Sequence, residues 1–255
     1  LYRTANLPIQ EGMDSASPSD GTRTDTMMVV SFNKKTNKIM LISLLRDTWV
    51  KIPGHGSNRL NTASVFGGVG LTINIINKNY GLDLQNYALV GYDEFQAIIN
   101  DIGGIQLELT ADEVNYINTN ATNSKKLKSG GGTYTLNGEQ TMHHCRNRTV
   151  GGSDFARTSR QRTVVTTVFN KLKTQNVATL TKIIQKATSM VETNMSPTDI
   201  ASLGIQVLTA KGVTIDQMSI PAEGTWKDST KDGRSVLEVD FEKNAKIIYD
   251  KLYKY

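Results

Sequence analysis

MMVVSFNKKTNKIMLISLLRD, residues 27–47, holds two apolar runs around a polar turn. Met27–Phe32 and Ile39–Leu45 flank Asn33-Lys34-Lys35-Thr36-Asn37, the pattern of two strands joined by a turn. Neither run alternates polar with apolar residues, so both predict strands at the centre of a sheet covered on both faces. The second run stops at Arg46-Asp47. Strand ends are where sheet proteins place site residues; a local ion pair is the other reading of these two.

Outward from this pair, strands interleave with helices. Arg59–Phe66 and Leu71–Tyr80 read as short helices parted by Gly67-Gly68, with Leu71, Ile75 and Ile76 at helical spacing. A strand is predicted over Tyr87–Tyr92. A helix capped by Asp93 then runs to Ile102, with Phe95, Ile98 and Ile99 inward. Ile105–Leu109 returns as a strand and Ala111–Asn118 as a helix. Asn120–Thr133 reads as a mobile polar loop, and Asn137–Met142 as a short helix. Helices follow over Phe155–Leu172, Val177–Val191 and Ser196–Leu208. Val213–Ile220 and Ser235–Val239 are strands, and Asp240–Tyr255 closes as an amphipathic helix. The pattern predicts a mixed α/β sheet flanked by helices, in one domain over 1–255.

Bulk properties bound the function. A chain of 255 residues can bury a full core. A net charge of +5 favours anionic partners. Without an aromatic-interleaved basic stripe or zinc-finger spacing, nucleic acid is not expected. The single cysteine excludes an internal disulfide framework. No run of about 18 apolar residues predicts a transmembrane helix. A start at Leu1 rather than Met points to a trimmed or processed form.

The chemistry concentrates in Cys145–Arg162, CRNRTVGGSDFARTSRQR, which carries five of the ten arginines and a single acid, Asp154. At 100° per residue, Arg157, Gln161, Val164, Val168 and Leu172 share one stripe. The apolar half of that stripe must face the core, so Arg157 and Gln161 point inward at the helix start. An inward arginine needs a partner; a bound anion, favoured by the helix N-terminus, supplies one. Ser153 or Asp154 is the N-cap. Arg160 falls at the stripe's edge, and Arg162 is predicted to be solvated. Arg146 and Arg148, if extended, share a face; they either converge with Arg157 and Gln161 or pair with surface carboxylates. Arginine suits the task because its planar fork matches phosphate oxygens. His143 and His144 lack a spaced third ligand for zinc, and Cys145 reads as a packing residue.

Upstream, Arg23-Thr24-Asp25 with Asp14 places two carboxylates and an arginine in one loop region. Hard oxygen ligands beside arginines suit Mg²⁺ bridging to a phosphate, although aspartates in loops also serve as turn residues.

Several stretches taken together resemble the LytR–CpsA–Psr family of Gram-positive bacteria. They are Arg23-Thr24-Asp25-Thr26-Met27, Ile42-Ser43-Leu44-Leu45-Arg46-Asp47, Arg59-Leu60-Asn61-Thr62-Ala63 with Phe66-Gly67-Gly68, and Asp101-Ile102-Gly103-Gly104-Ile105. Leu136-Asn137-Gly138-Glu139-Gln140-Thr141, Arg146-Asn147-Arg148 and Asp154-Phe155-Ala156-Arg157 through Gln161-Arg162 complete them. Their order spans roughly residues 12–172, with 173–255 as a loosely matching C-terminal part of the same fold.

The resemblance implies a three-layer α-β-α fold with an apolar lipid-binding cleft, for which Leu71, Ile75, Ile76, Phe95, Ile98 and Ile99 are available. It implies a Mg²⁺-dependent phosphotransferase that moves a glycopolymer, teichoic acid or capsular polysaccharide, from a polyprenyl-pyrophosphate carrier to peptidoglycan. Asp14 and Asp25 would hold Mg²⁺. Arg23, Arg46, Arg146, Arg148, Arg157 and Gln161 would grip the pyrophosphate. Asp25, Arg46 and Arg157 would be catalytic, with Asp25 also the base for the acceptor hydroxyl. The protein would work on the extracellular face of the cytoplasmic membrane, through an N-terminal anchor not in this chain. Two alternatives use the same residues: a Mg²⁺-dependent polyprenyl-pyrophosphate hydrolase, and a non-catalytic binding or regulatory module for anionic wall polymer.

Overall fold

The computed structural model describes residues 24–254. In chain order the elements are β1 (Met27–Asn33), β2 (Lys38–Leu44), β3 (Trp49–Lys51), β4 (Ser57–Arg59), a 3-10 turn (Leu60–Thr62) and α1 (Ala63–Tyr80). Then come β5 (Ala88–Leu89), α2 (Tyr92–Asp101), β6 (Ile105–Leu109), α3 (Ala111–Asn120), β7 (Gly132–Leu136), α4 (Gly138–Arg146) and α5 (Asp154–Lys173). The last are α6 (Val177–Thr188), β8 (Glu192–Thr193), α7 (Pro197–Thr209), β9 (Thr214–Ile220), β10 (Trp226–Lys231), β11 (Arg234–Val239) and α8 (Phe241–Tyr253). They gather into two compact units: residues 24–33, 40–87 and 216–254 in the first, residues 34–39 and 88–215 in the second.

The first unit is built on a sheet of order β1-β2-β9. β1 and β2 are joined by a four-residue turn and run antiparallel. Thr214 N–H donates to Asn37 O at 3.2 Å and Leu45 N–H to Ile220 O at 2.9 Å. Start thus meets start and end meets end, so β9 runs parallel to β2 and the sheet is mixed. β2 is buried from Ile39 to Leu44, as its continuous apolar run predicts. β1 departs from that expectation. It ends the strand order among the described residues and buries Met27 and Val29, while Val30 is 61% exposed. Ile42 and Leu44 pack with Leu71, Ile75 and Ile76 of α1 and with Ile248 and Leu252 of α8. Each such side chain contributes about 1.5–3 kcal/mol by leaving water. The predicted break at Gly67-Gly68 is present: neither glycine is helical, and Gly68 takes φ 64°. That positive φ is open to glycine without strain.

In the second unit, β6 and β7 pair antiparallel, with Ile105 opposite Leu136. Their buried residues join Ile99, Val114, Ile117 and Val164 in one core. β7 lies partly inside the predicted polar loop, because its glycine and two threonines hide the strand signal. The strand predicted over Tyr87–Tyr92 shrinks to β5, and Tyr92 opens α2 with Gly91 as N-cap. Asp93 and Glu94 occupy the first turn instead, where the helix dipole favours acids.

α2 and α4 lie antiparallel in four-residue steps. Gly138 N–H donates to Asn100 Oδ1 at 2.8 Å, Gln96 Nε2 lies 3.7 Å from Met142 Sδ, and the Arg146 guanidinium stands over the Tyr92 ring. The approach requires glycine at 138, since a Cβ there would meet Gln96 O at 2.2 Å.

Candidate functional site

In the first unit the strand ends carry the candidate residues Asp25 and Arg46. Asp25 precedes β1 and Arg46 follows β2, so the antiparallel hairpin makes them neighbours. Arg46 Nη1 donates to Asp25 Oδ1 at 2.8 Å. Arg46 Nε also lies 3.7 Å from Asp47 Oδ2, and Arg59 Nη1 lies 3.3 Å from Asp47 Oδ1. Arg46 thus stands at the strand end and also forms the local ion pair with Asp47. Arg59 was not singled out from the sequence. The β3–β4 pairing, Trp49 opposite Arg59, returns it to Asp47, and nothing in local spacing signals that. Asp14 and Arg23 lie outside the described residues.

Asp25 fits a magnesium ligand in donor type. It is a hard carboxylate, 37% exposed at its side chain, with one oxygen on Arg46. Among the described residues no group of three His, Cys, Asp or Glu side chains is placed to hold a metal. The carboxylate expected beside Asp25 is Asp14.

In the second unit the inward pair is present as predicted. Arg157 is 2% exposed and Gln161 7%, one turn apart at the start of α5. Ser153 is the N-cap, its hydroxyl accepting from Ala156 N–H at 3.1 Å. Arg157 Nη2 donates to Asp154 Oδ2 at 3.2 Å. Gln161 Nε2 donates to the Cys145 carbonyl at 3.3 Å, which brings α5 beside the residue preceding Arg146. Gln161 Oε1 is buried without a hydrogen-bond partner.

Two expectations for this stretch are corrected. Arg146 ends α4 instead of sharing an extended face with Arg148, because the Asn137–Gln140 capping box launches a helix that runs to Arg146. Arg146 and Arg148 are both exposed. The Arg146 guanidinium lies 4.7 Å from the Tyr92 ring centroid, a cation–π contact. Arg162, expected in solvent, is 7% exposed, and burial lowers its pKa. α5 packs against β6, α4 and α7, so it is covered over more than one stripe.

Beneath the arginines sits a buried polar group that sequence reading did not connect. His144 Nδ1 lies 3.7 Å from Glu113 Oε1, and Arg160 Nη1 lies 4.0 Å from the same oxygen. Burial pushes His144 down to about 4, with Glu113 opposing and Arg160 assisting. Burial pushes the Cys145 thiol up to about 12, consistent with a packing residue. Leu71, Ile75 and Ile76, considered for a lipid cleft, are buried in the first unit's core, and Ile99 in the second's.

Comparison with known proteins follows the same lines. The LytR_cpsA_psr family model matches residues 9–251. The regulatory protein MsrR of Staphylococcus aureus is 26% identical over 243 residues, 94% of this chain and 72% of MsrR. TagT of Bacillus subtilis, a polyisoprenyl-teichoic acid–peptidoglycan teichoic acid transferase, is 26% identical over 201 residues, 78% of this chain and 62% of TagT. The structure of YwtF (TagT) with bound octaprenyl pyrophosphate lipid superposes with a TM-score of 0.70 at 21% identity, over 96% of this chain and 99% of that one. The mixed α/β arrangement is thus the fold of those structures, and the chain belongs to the LytR_cpsA_psr family.

Proposed function

We propose that this chain is a phosphotransferase that moves a glycopolymer from a polyprenyl-pyrophosphate carrier to peptidoglycan, with magnesium as cofactor. The observation that carries the reading is the Arg157–Gln161 pair. Arg157 is 2% exposed and Gln161 7%, one turn apart at the start of α5. A guanidinium at the positive end of a helix favours an anionic ligand. The names of TagT and of its lipid-bound structure supply the substrate class. A teichoic acid or a capsular polysaccharide fits the reading equally.

The reaction needs positioning and charge neutralisation more than a protein nucleophile. The acceptor hydroxyl attacks the sugar-linked phosphorus. The bond from that phosphorus to the bridging oxygen breaks, polyprenyl phosphate leaves, and a phosphodiester joins glycan to acceptor. Arg146, Arg148, Arg157 and Gln161 are assigned to diphosphate oxygens, with Arg23 and Arg46. Asp25, steadied by Arg46, is assigned to magnesium with Asp14. When bound, the metal supplies charge neutralisation on the diphosphate. An anchor outside this chain would place the protein on the outer face of the membrane; no helix among the described residues is long and apolar enough to cross one.

The test uses a synthetic prenyl-diphosphate-linked disaccharide, magnesium and a peptidoglycan oligomer, read by mass spectrometry. Prenyl monophosphate together with glycan-phosphate on the oligomer is the expected result. Prenyl monophosphate with free glycan phosphate identifies a hydrolase. No turnover, with Arg157→Ala still binding polymer, leaves the regulatory reading that the name MsrR carries.

A further inference from the structure

Residues 147–153 link the end of α4 to the start of α5, and so connect Arg146 to Arg157 through Arg148. Their backbone is tied by four hydrogen bonds. Asn147, fully buried, accepts from Thr149 N–H at 2.9 Å and Val150 N–H at 3.0 Å through Oδ1. From the next turn of α5, Arg160 Nη1 donates to the Val150 carbonyl at 3.0 Å, and Arg160 Nη2 donates to the Asn147 carbonyl. One guanidinium thus spans two carbonyls three residues apart. Gly151 closes over it at φ 80°, with its ideal Cβ position 3.7 Å from Arg160 Nη1.

Arg160 is itself held from behind. Its side chain is 11% exposed, and Glu113 Oε1 stands 4.0 Å from Nη1. Glu113 is fixed in turn: its Oε2 accepts from Thr110 N–H at 3.0 Å and Thr110 Oγ1 at 3.3 Å in the capping box of α3. The linker is therefore referenced through Arg160 and Glu113 to the N-terminus of α3.

We propose that Arg160 is a positioning residue: it does not touch the ligand, but clamps residues 147–153 so that Arg146 and Arg148 are preorganised for the diphosphate. This rests on the transferase reading above. Both terminal nitrogens of Arg160 are committed to backbone carbonyls, and its Nε is buried. A lysine cannot replace it, because a single ammonium lacks the planar fork that reaches two acceptors at once. Ordering the linker before binding removes an entropy cost from ligand capture.

The experiment compares wild type with Arg160→Lys, and with Arg160→Gln should the lysine variant fail to fold. Hydrogen exchange of amides 148–153 is measured in the free protein. Binding of geranyl diphosphate with magnesium is measured by calorimetry, and donor KM and kcat in the transfer assay. Arg160→Lys is expected to exchange at least about 10-fold faster across 148–153, to bind about 10-fold more weakly, and to raise KM similarly with kcat within about 3-fold. Weaker binding with unchanged exchange would overturn the proposal, because Arg160 would then touch the ligand. Faster exchange with unchanged binding would overturn it too, because the linker would not set the grip. A wild type that binds no diphosphate overturns the transferase reading and this role with it. It is distinguished from a failed clamp because wild-type exchange across 148–153 then remains slow.

Discussion

Arg46 reaches back across 21 residues to donate to Asp25 at 2.8 Å, and the β1–β2 hairpin is what closes that separation. The pair sits at a partly exposed strand end, so its own contribution to stability is small, at most about 1 kcal/mol. Asp25→Asn is therefore expected to keep the fold and lose the metal. Magnesium-dependent transfer should fall by about 100-fold, with the thermal midpoint nearly unchanged, and chelation of wild type should give the same loss. A magnesium titration of transfer alongside a melting curve checks it. Full activity in Asp25→Asn would remove Asp25 from the metal.

Arg157 is the residue for which charge and geometry separate. Arg157→Lys retains the cation and its attraction to Asp154, but loses the two-pronged contact. Diphosphate affinity is expected to drop about 10-fold, and Arg157→Ala, which also leaves Asp154 without that partner, should lose about 100-fold. Calorimetry with geranyl diphosphate reports both. Equal affinity for arginine and lysine would show that only charge matters there.

Tyr92 supports Arg146 through its ring face, and the contact needs no hydroxyl. Tyr92→Phe should bind diphosphate as wild type does. Tyr92→Ala should weaken binding about 2–5-fold, the equivalent of a cation–π contact of about 0.5–1 kcal/mol at an exposed site. A Phe variant as impaired as the Ala variant would point to the hydroxyl instead.

His144 makes stability depend on pH with a definite sign. In the unfolded chain it takes up a proton near pH 6.5; in the fold burial, with Arg160 beside it, holds it neutral down to about 4. Between those values the unfolded state binds the extra proton. Stability is thus fully present above about 6.5, falls as pH drops through the window, and loses nothing further from this group below 4. The full effect is about 3 kcal/mol. Thermal midpoints measured from pH 7 to pH 4 should fall less steeply in His144→Gln than in wild type. Parallel slopes would show that His144 is protonated in the fold.

What the sequence discloses depends on the range of the signal. β2 and the inward face of α5 follow from residues a few positions apart, and both stand as the pattern predicts. The burial of Arg162 does not, because one helical stripe cannot show that α4, β6 and α7 all press on α5. Arg146 differs from its expected extended form for a related reason: α4 packs along α2 and runs past Met142 to Arg146, where the guanidinium meets the Tyr92 ring. Arg59 beside Asp47, Tyr92 beneath Arg146 and Glu113 behind Arg160 are contacts made by folding. They leave no trace in spacing, since the partners lie 12, 54 and 47 residues apart.

The antiparallel steps of α2 and α4 also act as a length standard. Asn100 with Gly138, Gln96 with Met142 and Tyr92 with Arg146 coincide only while both helices keep their residue count. One residue inserted into α4 would swing Arg146 about 100° around the axis and carry it off Tyr92, though the helix would still form. The segment between α3 and β7 is counted in the same way: Gln140 Nε2 donates to the Lys125 carbonyl at 2.8 Å, and Leu127 N–H to Asn118 Oδ1 at 2.8 Å. α4 can be transplanted to another scaffold only together with α2 and that segment.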